Sequence, residues 1–100
     1  MTFADAITLE NSLKIVTAAL APHSLSKLQE QVFRGSWHNQ SYIEIAKNLN
    51  YRESYIKDVA SELWQLLSQK LEVKVTKVTL REAVMQYVHL RLNLAMLGKQ

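Results

Sequence analysis

The sequence predicts an all-α fold, with five helices in a single domain that covers residues 1–100. Two observations predict it. Helix start signals, in which Ser, Thr or Asn is followed three residues later by an acid or an amide, recur along the chain. Apolar residues then follow at spacings of three and four, the period of an amphipathic helix. The start signals are Thr2/Asp5, Ser26/Gln29, Ser41/Glu44, Asn50/Glu53 and Thr79/Glu82.

Apolar periodicity and stop signals set the limits of each helix. We expect helices over residues 3–20, 26–37, 42–49, 52–71 and 80–97. Pro22 ends the first, because proline cannot continue a helix, and Gly35 is expected to loosen the end of the second. Gly98 is placed to cap the fifth. Between the last two helices, "LEVKVTKVT" alternates valine with lysine and is compatible with a strand, a wing or a loop. We expect an extended loop.

Composition narrows the class of protein. The chain contains no cysteine, which excludes a disulfide framework and a thiolate metal site. Its beginning lacks a basic segment and carries Asp5 and Glu10, where a signal peptide would be uniformly apolar. No apolar run approaches the roughly 20 residues that span a bilayer. We therefore expect a soluble, cytoplasmic protein that makes no contact with a membrane.

The break between the third and fourth helices follows a specific spacing. Counted from Tyr42, a small residue, Ala46, stands at position five, where it lets two helices cross closely. Asn50 stands at position nine, where the backbone must become left-handed and Asn is the best choice after Gly. Apolar residues occupy the remaining seam positions, which are Ile45, Leu49, Tyr51, Ile56 and Val59. This is the pattern of a helix-turn-helix over residues 42–69. Two ordinary bundle helices joined by a tight turn are the alternative.

Short motifs around this break carry a resemblance. They are Leu25-Ser26 at a helix start, Glu44-Ile45-Ala46 with Leu49, and Ile56-Lys57 inside the fourth helix. In these motifs the chain resembles the C-terminal DNA-binding domain of LuxR/GerE-type regulators. The resemblance implies a tetrahelical helix-turn-helix, here with an extra N-terminal helix and a long C-terminal helix.

A second resemblance covers residues 12–88. Its motifs are "LQEQVFRGSW", "SYIEIA", "YIKDV", "ELWQLLS" and "KVTK..LREAV". They are similar to a module found at the N-termini of cyanobacterial signalling proteins, where it precedes ATPase, WD40 or von Willebrand-type/MoxR-associated regions. That resemblance implies a part in signalling, with other signalling proteins as partners.

The LuxR/GerE resemblance implies a partner, double-stranded DNA, because in those domains the helix after the break enters the major groove. The predicted contacts with bases and phosphates lie on that helix, and basic residues after it would hold the flanking backbone. Beyond Lys57 the chain departs from the pattern, since Ser61 and Glu62 fall in a stretch where those regulators place basic residues. The predicted DNA-binding residues are Arg52, Ser54, Tyr55, Lys57, Ser61, Lys74, Lys77 and Arg81.

Charge is distributed unevenly along the chain. Residues 1–69 hold six Lys or Arg against seven Asp or Glu, whereas residues 70–100 hold six against two. A polyanion should therefore be attracted most by the C-terminal third, unless that charge only keeps the surface soluble. The predicted recognition helix itself is slightly acidic, with two basic and three acidic residues in 52–69. Phosphate contacts supply most non-specific affinity, so a monomer should bind weakly and a dimer on paired half-sites is needed.

The fifth helix is the predicted source of that homodimer. Its apolar stripe is wider than a small bundle needs, which is typical of an oligomer interface. The alternative is that the helix only closes the core against the first helix. We expect the first half in the core and the second half against another chain. The predicted interface residues are Tyr87, Leu90, Leu94 and Leu97.

A competing function is a non-catalytic adaptor that binds proteins, since one fold supports many functions. The acidic recognition helix and the resemblance to signalling modules favour it. No feature proposes catalysis or a cofactor. The histidines at positions 23, 38 and 89 are far apart, so no metal site is expected.

Overall fold

A computed structural model describes residues 7–97 of the chain, with side chains described for residues 7–94. Its elements are α1 (Leu9–Leu20), α2 (Lys27–Trp37), α3 (Tyr42–Leu49), α4 (Glu53–Leu71) and α5 (Leu80–Leu97). No strand occurs within the described range. The all-α fold with five helices is confirmed.

The start of α1 differs from the prediction. The helix begins at Leu9, because Thr8 is extended, with φ −78° and ψ 161°, and its hydroxyl accepts a hydrogen bond from the Asn11 N–H. A threonine in this conformation satisfies one of the free N–H groups of the first turn. The prediction of a helix running continuously from Phe3 was therefore wrong at residues 7 and 8. The Thr2/Asp5 signal lies outside the described residues.

Two predicted start signals form complete capping boxes. The Ser26 hydroxyl accepts from the Gln29 N–H at 3.1 Å, and the Gln29 amide oxygen accepts from the Ser26 N–H at 2.9 Å. Ser41 and Glu44 repeat this arrangement at the start of α3. Each box pairs two donors that the helix would otherwise leave free.

The break between α3 and α4 is confirmed at Asn50. This residue is left-handed, with φ 61° and ψ 42°, and the Tyr51 N–H donates to the Ala46 carbonyl at 3.0 Å. Asn50 is thus the C-cap of α3. Its predicted role as the start signal of α4 was wrong, because Arg52 is the residue before that helix and makes no side-chain cap bond.

The seam between α3 and α4 contains Ile45 and Ile56, which are 2% and 0% exposed. Tyr51 was predicted in this seam and is not there. Its side chain is 48% exposed, and its ring lies 5.2 Å from that of Tyr55 on the outer surface. The corner turns the Tyr51 side chain outward, which the one-dimensional spacing did not reveal.

Gly35 has a packing role. It lies inside α2, where an added Cβ would come within 2.6 Å of Ile45 Cγ1. The expectation that Gly35 loosens the helix end was wrong. Its missing side chain instead lets α3 approach α2 closely.

The core is organised around α4, which packs against α1, α2 and α3. The first half of α5 covers the remaining side, in contact with α1 and α2. The buried apolar residues of α4 and α5 are Ile56, Ala60, Leu63, Trp64, Leu67, Leu71, Leu80, Ala83, Val84 and Met85. The predicted burial of the first half of α5 is confirmed.

The segment between α4 and α5 is a loop without strand pairing, as expected. It starts at Glu72, which is left-handed with φ 59°. Val73 and Val75 are buried in the core, whereas Val78 is 85% exposed. The loop is therefore attached to the domain through two of its valines.

Candidate nucleic-acid interface

The two faces of α4 have opposite roles. Its inner face is fully buried at Ile56, Ala60, Leu63 and Leu67. The predicted contact residues in this helix, and the one directly before it, are all exposed. They are Arg52, Ser54, Tyr55, Lys57 and Ser61. The structure thus brings five of the eight predicted DNA-binding residues onto one accessible surface, which we call the outer face of α4.

Lys57 on the outer face is paired within the helix. Its Nζ lies 2.9 Å from Glu53 Oε1, and the two side chains are 56% and 39% exposed. A pair of this kind on a helix surface contributes only about 0.3–0.5 kcal/mol. A phosphate can therefore replace Glu53 as the partner of Lys57, but the unbound face is locally close to neutral.

Tyr55 packs against Tyr51, with an angle of 42° between the two rings. Both side chains remain about half exposed. The sequence indicated Tyr55 as an exposed aromatic but did not indicate its partner. The four-residue spacing of the tyrosines was the available signal, although Tyr51 precedes the helix.

Lys77 lies near the start of α3. Its Nζ is 5.6 Å from the centre of the Tyr42 ring, and the Tyr42 hydroxyl accepts a hydrogen bond from Trp64 Nε1 at 2.9 Å. The carboxylate of Glu44 is also nearby. The pKa of Glu44 is lowered mainly by the Ser41 N–H and hydroxyl, which donate to it, and further by the charge of Lys77. Lys77 is half-buried, unlike the freely exposed Lys74.

Arg81 has a role within the fold. Its Nε and Nη2 donate to the Trp37 carbonyl at 3.0 and 2.6 Å, and its guanidinium carbon lies 5.0 Å from the Trp37 ring centre. The side chain thereby satisfies a carbonyl at the C-terminal end of α2. This role differs from the phosphate contact that the sequence suggested, so Arg81 does not belong to the proposed contact set.

The loop that carries Lys74 is bonded to α4 through Ser68. The Ser68 hydroxyl accepts from the Val75 N–H at 2.8 Å and lies 3.4 Å from the Val75 carbonyl, to which it can donate. The sequence carries no signal for this role of Ser68, because no local pattern relates it to a residue seven positions later. Between this loop and α4 lies an open groove of about 760 Å³.

The family of the chain is shown by a match over most of its length. Residues 1–87 match the family described as "vWA-MoxR associated protein N-terminal HTH". The chain belongs to this family. No curated protein matches the chain, and no solved structure does. The family description supports a helix-turn-helix domain, in agreement with the corner at Asn50.

The family match ends at Tyr87, in the middle of α5. Beyond that point Leu90 and Leu94 are 44% and 61% exposed, and Leu92 on the other side of the helix is 53% exposed. Tyr87 is half-buried, with the Arg91 guanidinium 5.1 Å from its ring centre. The Leu97 side chain lies outside the described side chains. Among the described side chains of this part of α5, the three leucines are thus accessible.

Two further classes of site are absent from the described part of this vWA-MoxR associated domain. No group of three His, Cys, Asp or Glu side chains there is arranged to hold a metal ion. None of its described helices is long and apolar enough to cross a membrane.

Proposed function

We propose that this helix-turn-helix domain binds double-stranded DNA as a homodimer and acts as a sequence-specific transcriptional regulator of the LuxR/GerE type. The observation that supports it is the corner at Asn50. It leaves one side of α4 wholly buried and the other accessible along the first half of the helix. A helix with a free outer face is what major-groove docking requires. On this proposal the protein works in the cytoplasm of a cyanobacterium.

Contacts divide between base edges and phosphates. Tyr55 and Arg52 would reach the groove, and Lys57 would exchange Glu53 for a phosphate. Lys74 and Lys77, which follow α4, would hold the flanking backbone. With about four to six phosphate contacts, the slope of log K against log salt should be about −4 to −5. Contacts of this kind position the protein, and base-edge contacts add the specificity.

The proposed dimer forms through the second half of α5. Tyr87, Leu90, Leu94 and Leu97 are spaced three, four and three residues apart, the spacing of a coiled-coil seam. Leu90 and Leu94 are left largely uncovered by the described residues of the domain, which favours a second copy of the chain. Pairing two domains would offset the weak binding expected of one slightly acidic recognition helix.

The second candidate is an adaptor that binds other signalling proteins. The Lys57–Glu53 pair favours it, because it leaves the outer face with little positive charge. The exposed Tyr51–Tyr55 pair beside Arg52 favours it as well, since Tyr and Arg dominate protein interfaces. The family's description as an N-terminal module of vWA-MoxR associated proteins is compatible with either function.

Fluorescence anisotropy with a labelled random duplex at low salt separates the two functions. The regulator predicts saturable binding that weakens steeply with salt, and analytical ultracentrifugation of the same sample should show a dimer. A protein that sediments as a dimer but fails to bind duplex at tens of micromolar would eliminate the regulator and leave the adaptor. Selection from a random duplex library then tests sequence specificity.

A further inference from the structure

The segment after α4 is bonded to that helix through Ser68. The Ser68 hydroxyl, on the last turns of α4, accepts a hydrogen bond from the Val75 N–H at 2.8 Å. The buried side chains of Val73 and Val75 attach the segment on both sides of Lys74. In an extended segment, successive side chains point in opposite directions. Lys74 is exposed because its two neighbours are buried.

Lys74 shares a groove with the outer side of α4. Ser61 and Glu62 line this groove from the helix, and Lys74 and Thr76 line it from the loop. Ser61 is already part of the proposed DNA surface. The groove therefore continues that surface from the recognition helix to the loop, and its two walls are joined by the Ser68–Val75 bond.

We propose that residues 72–76 form a fixed second arm of the DNA-binding surface. In this arm Lys74 binds a backbone phosphate that lies across the groove from Ser61. Ser68 is a positioning residue, which touches no nucleic acid and acts by holding the backbone of Val75 in place. The inference rests on the proposed DNA binding and adds to it a residue that the sequence alone did not indicate.

The physical reason is preorganisation. A lysine on a free loop loses backbone and side-chain freedom when it binds a phosphate, and that loss reduces the affinity. With Val75 bonded to α4, the backbone beside Lys74 is already ordered before DNA arrives. Loss of the Ser68 hydroxyl should therefore remove the same phosphate contact as loss of the Lys74 charge, although the two side chains differ completely in chemistry.

The experiment measures duplex affinity against salt concentration for a set of variants. Lys74→Gln should reduce the magnitude of the salt slope by about 0.9 for each bound domain, the contribution of one phosphate, and therefore by about 1.8 for the dimer. Ser68→Ala should produce the same reduction, and the double variant no further one. Ser68→Thr keeps a hydroxyl and should restore the wild-type slope. Lys14→Gln, an exposed lysine on α1, is the matched control and should leave the slope unchanged.

Amide hydrogen exchange provides a readout without DNA. Ser68→Ala should speed exchange at Val75 more than at the amides of the buried side of α4. Lys74→Gln alters only an exposed side chain, so it tests the phosphate contact even if Ser68→Ala disturbs folding.

The outcomes separate this inference from the proposed function. If the wild type binds duplex but Lys74→Gln keeps the full salt slope, the arm is refuted and DNA binding stands. If Lys74→Gln lowers the slope but folded Ser68→Ala does not, the positioning role of Ser68 is refuted. If the wild type binds no duplex at all, the proposed function fails and the inference fails with it.

Discussion

Arg81 donates two hydrogen bonds to the Trp37 carbonyl, and its guanidinium lies 5.0 Å from the ring centre of that tryptophan. The two residues are 44 positions apart in the chain and connect the start of α5 to the end of α2. A basic residue that the sequence pattern assigned to DNA thus joins two helices of the fold.

Replacement of Arg81 should therefore affect stability. Arg81→Ala removes hydrogen bonds from a charged donor and a cation–π contact, with an expected loss of about 2 kcal/mol in the free energy of unfolding. Urea denaturation measures it. Arg52→Ala is the matched control, because Arg52 is exposed and makes no cap bond, and its effect should stay within about 0.5 kcal/mol. Equal losses in the free energy of unfolding for the two substitutions would contradict the structural role of Arg81.

Gly35 offers a test of the close approach between α2 and α3. Gly35→Ala places a methyl group 2.6 Å from Ile45 Cγ1, and the resulting overpacking should destabilise the fold by about 1–3 kcal/mol. In an Ile45→Ala background both close carbon contacts are removed, and only the end of the flexible Gln40 side chain, whose Oε1 lies 3.0 Å from the added Cβ, must shift. There the same change should be neutral or stabilising by up to about 1 kcal/mol, because Ala favours helix. Chemical denaturation of the wild type, the two single variants and the double variant gives the coupling energy. If the two changes in the free energy of unfolding are additive, the predicted contact between the methyl group added at position 35 and Ile45 is contradicted.

Charge on the recognition surface should control DNA affinity. Lys57→Ala and Lys77→Ala should each weaken binding. Each should lower the magnitude of the salt slope by about 0.9 for each bound domain, the contribution of one phosphate, and therefore by about 1.8 for the dimer. Glu62→Lys should strengthen binding, because it removes a negative charge beside the backbone path. Anisotropy titrations at several salt concentrations measure all three, with Lys14→Ala on α1 as the control. If none of the three substitutions changes the duplex affinity, DNA does not bind through this face.

The second half of α5 should determine the oligomeric state. Leu90→Gln with Leu94→Gln should convert a dimer into a monomer, since both side chains are exposed in the described part of one domain. Stability of the wild type should then depend on protein concentration, and that of the variant should not. Sedimentation equilibrium and urea curves at two concentrations check this. Ile43→Gln changes a similarly exposed residue on α3 and should preserve the dimer.

Acid should weaken the start of α3. The Ser41 N–H and hydroxyl donate to the Glu44 carboxylate and lower its pKa from the ordinary 4.5, with a further contribution from Lys77. A pKa lowered by folding means that ionised Glu44 stabilises the native state above about pH 4.5. This contribution disappears as the pH falls through the lower folded value. Glu44→Gln retains the cap without the charge, so its unfolding midpoint should depend less on pH between about 3 and 5 than that of the wild type.

The elements of this fold that could be predicted are those whose cause is local. Capping boxes at Ser26 and Ser41 and the left-handed turn at Asn50 depend on neighbouring residues, and all three were correctly placed. The start of α1 was missed because the apolar spacing continues through residues 7 and 8. The Thr8 hydroxyl begins the helix later than that spacing suggests.

The features that could not be predicted depend on residues distant in sequence. The role of Gly35 depends on the position of Ile45, and the role of Arg81 depends on the position of the end of α2. Tyr51 was assigned to the seam from its spacing alone, and only the direction of the corner places it outside. On the candidate site, the outer face of α4 followed from periodicity, whereas the bond from Ser68 to Val75 required the path of the loop.

The central position of α4 has a consequence for how recognition could change over time. The buried side of this helix is shared with three others, so any tilt of α4 would repack most of the domain. New binding preferences are then accessible only by exchanging side chains on its solvent side. Those side chains do not pack in the core, so the domain should tolerate random substitutions at these positions. Recognition residues introduced there should leave its thermal unfolding midpoint almost unchanged.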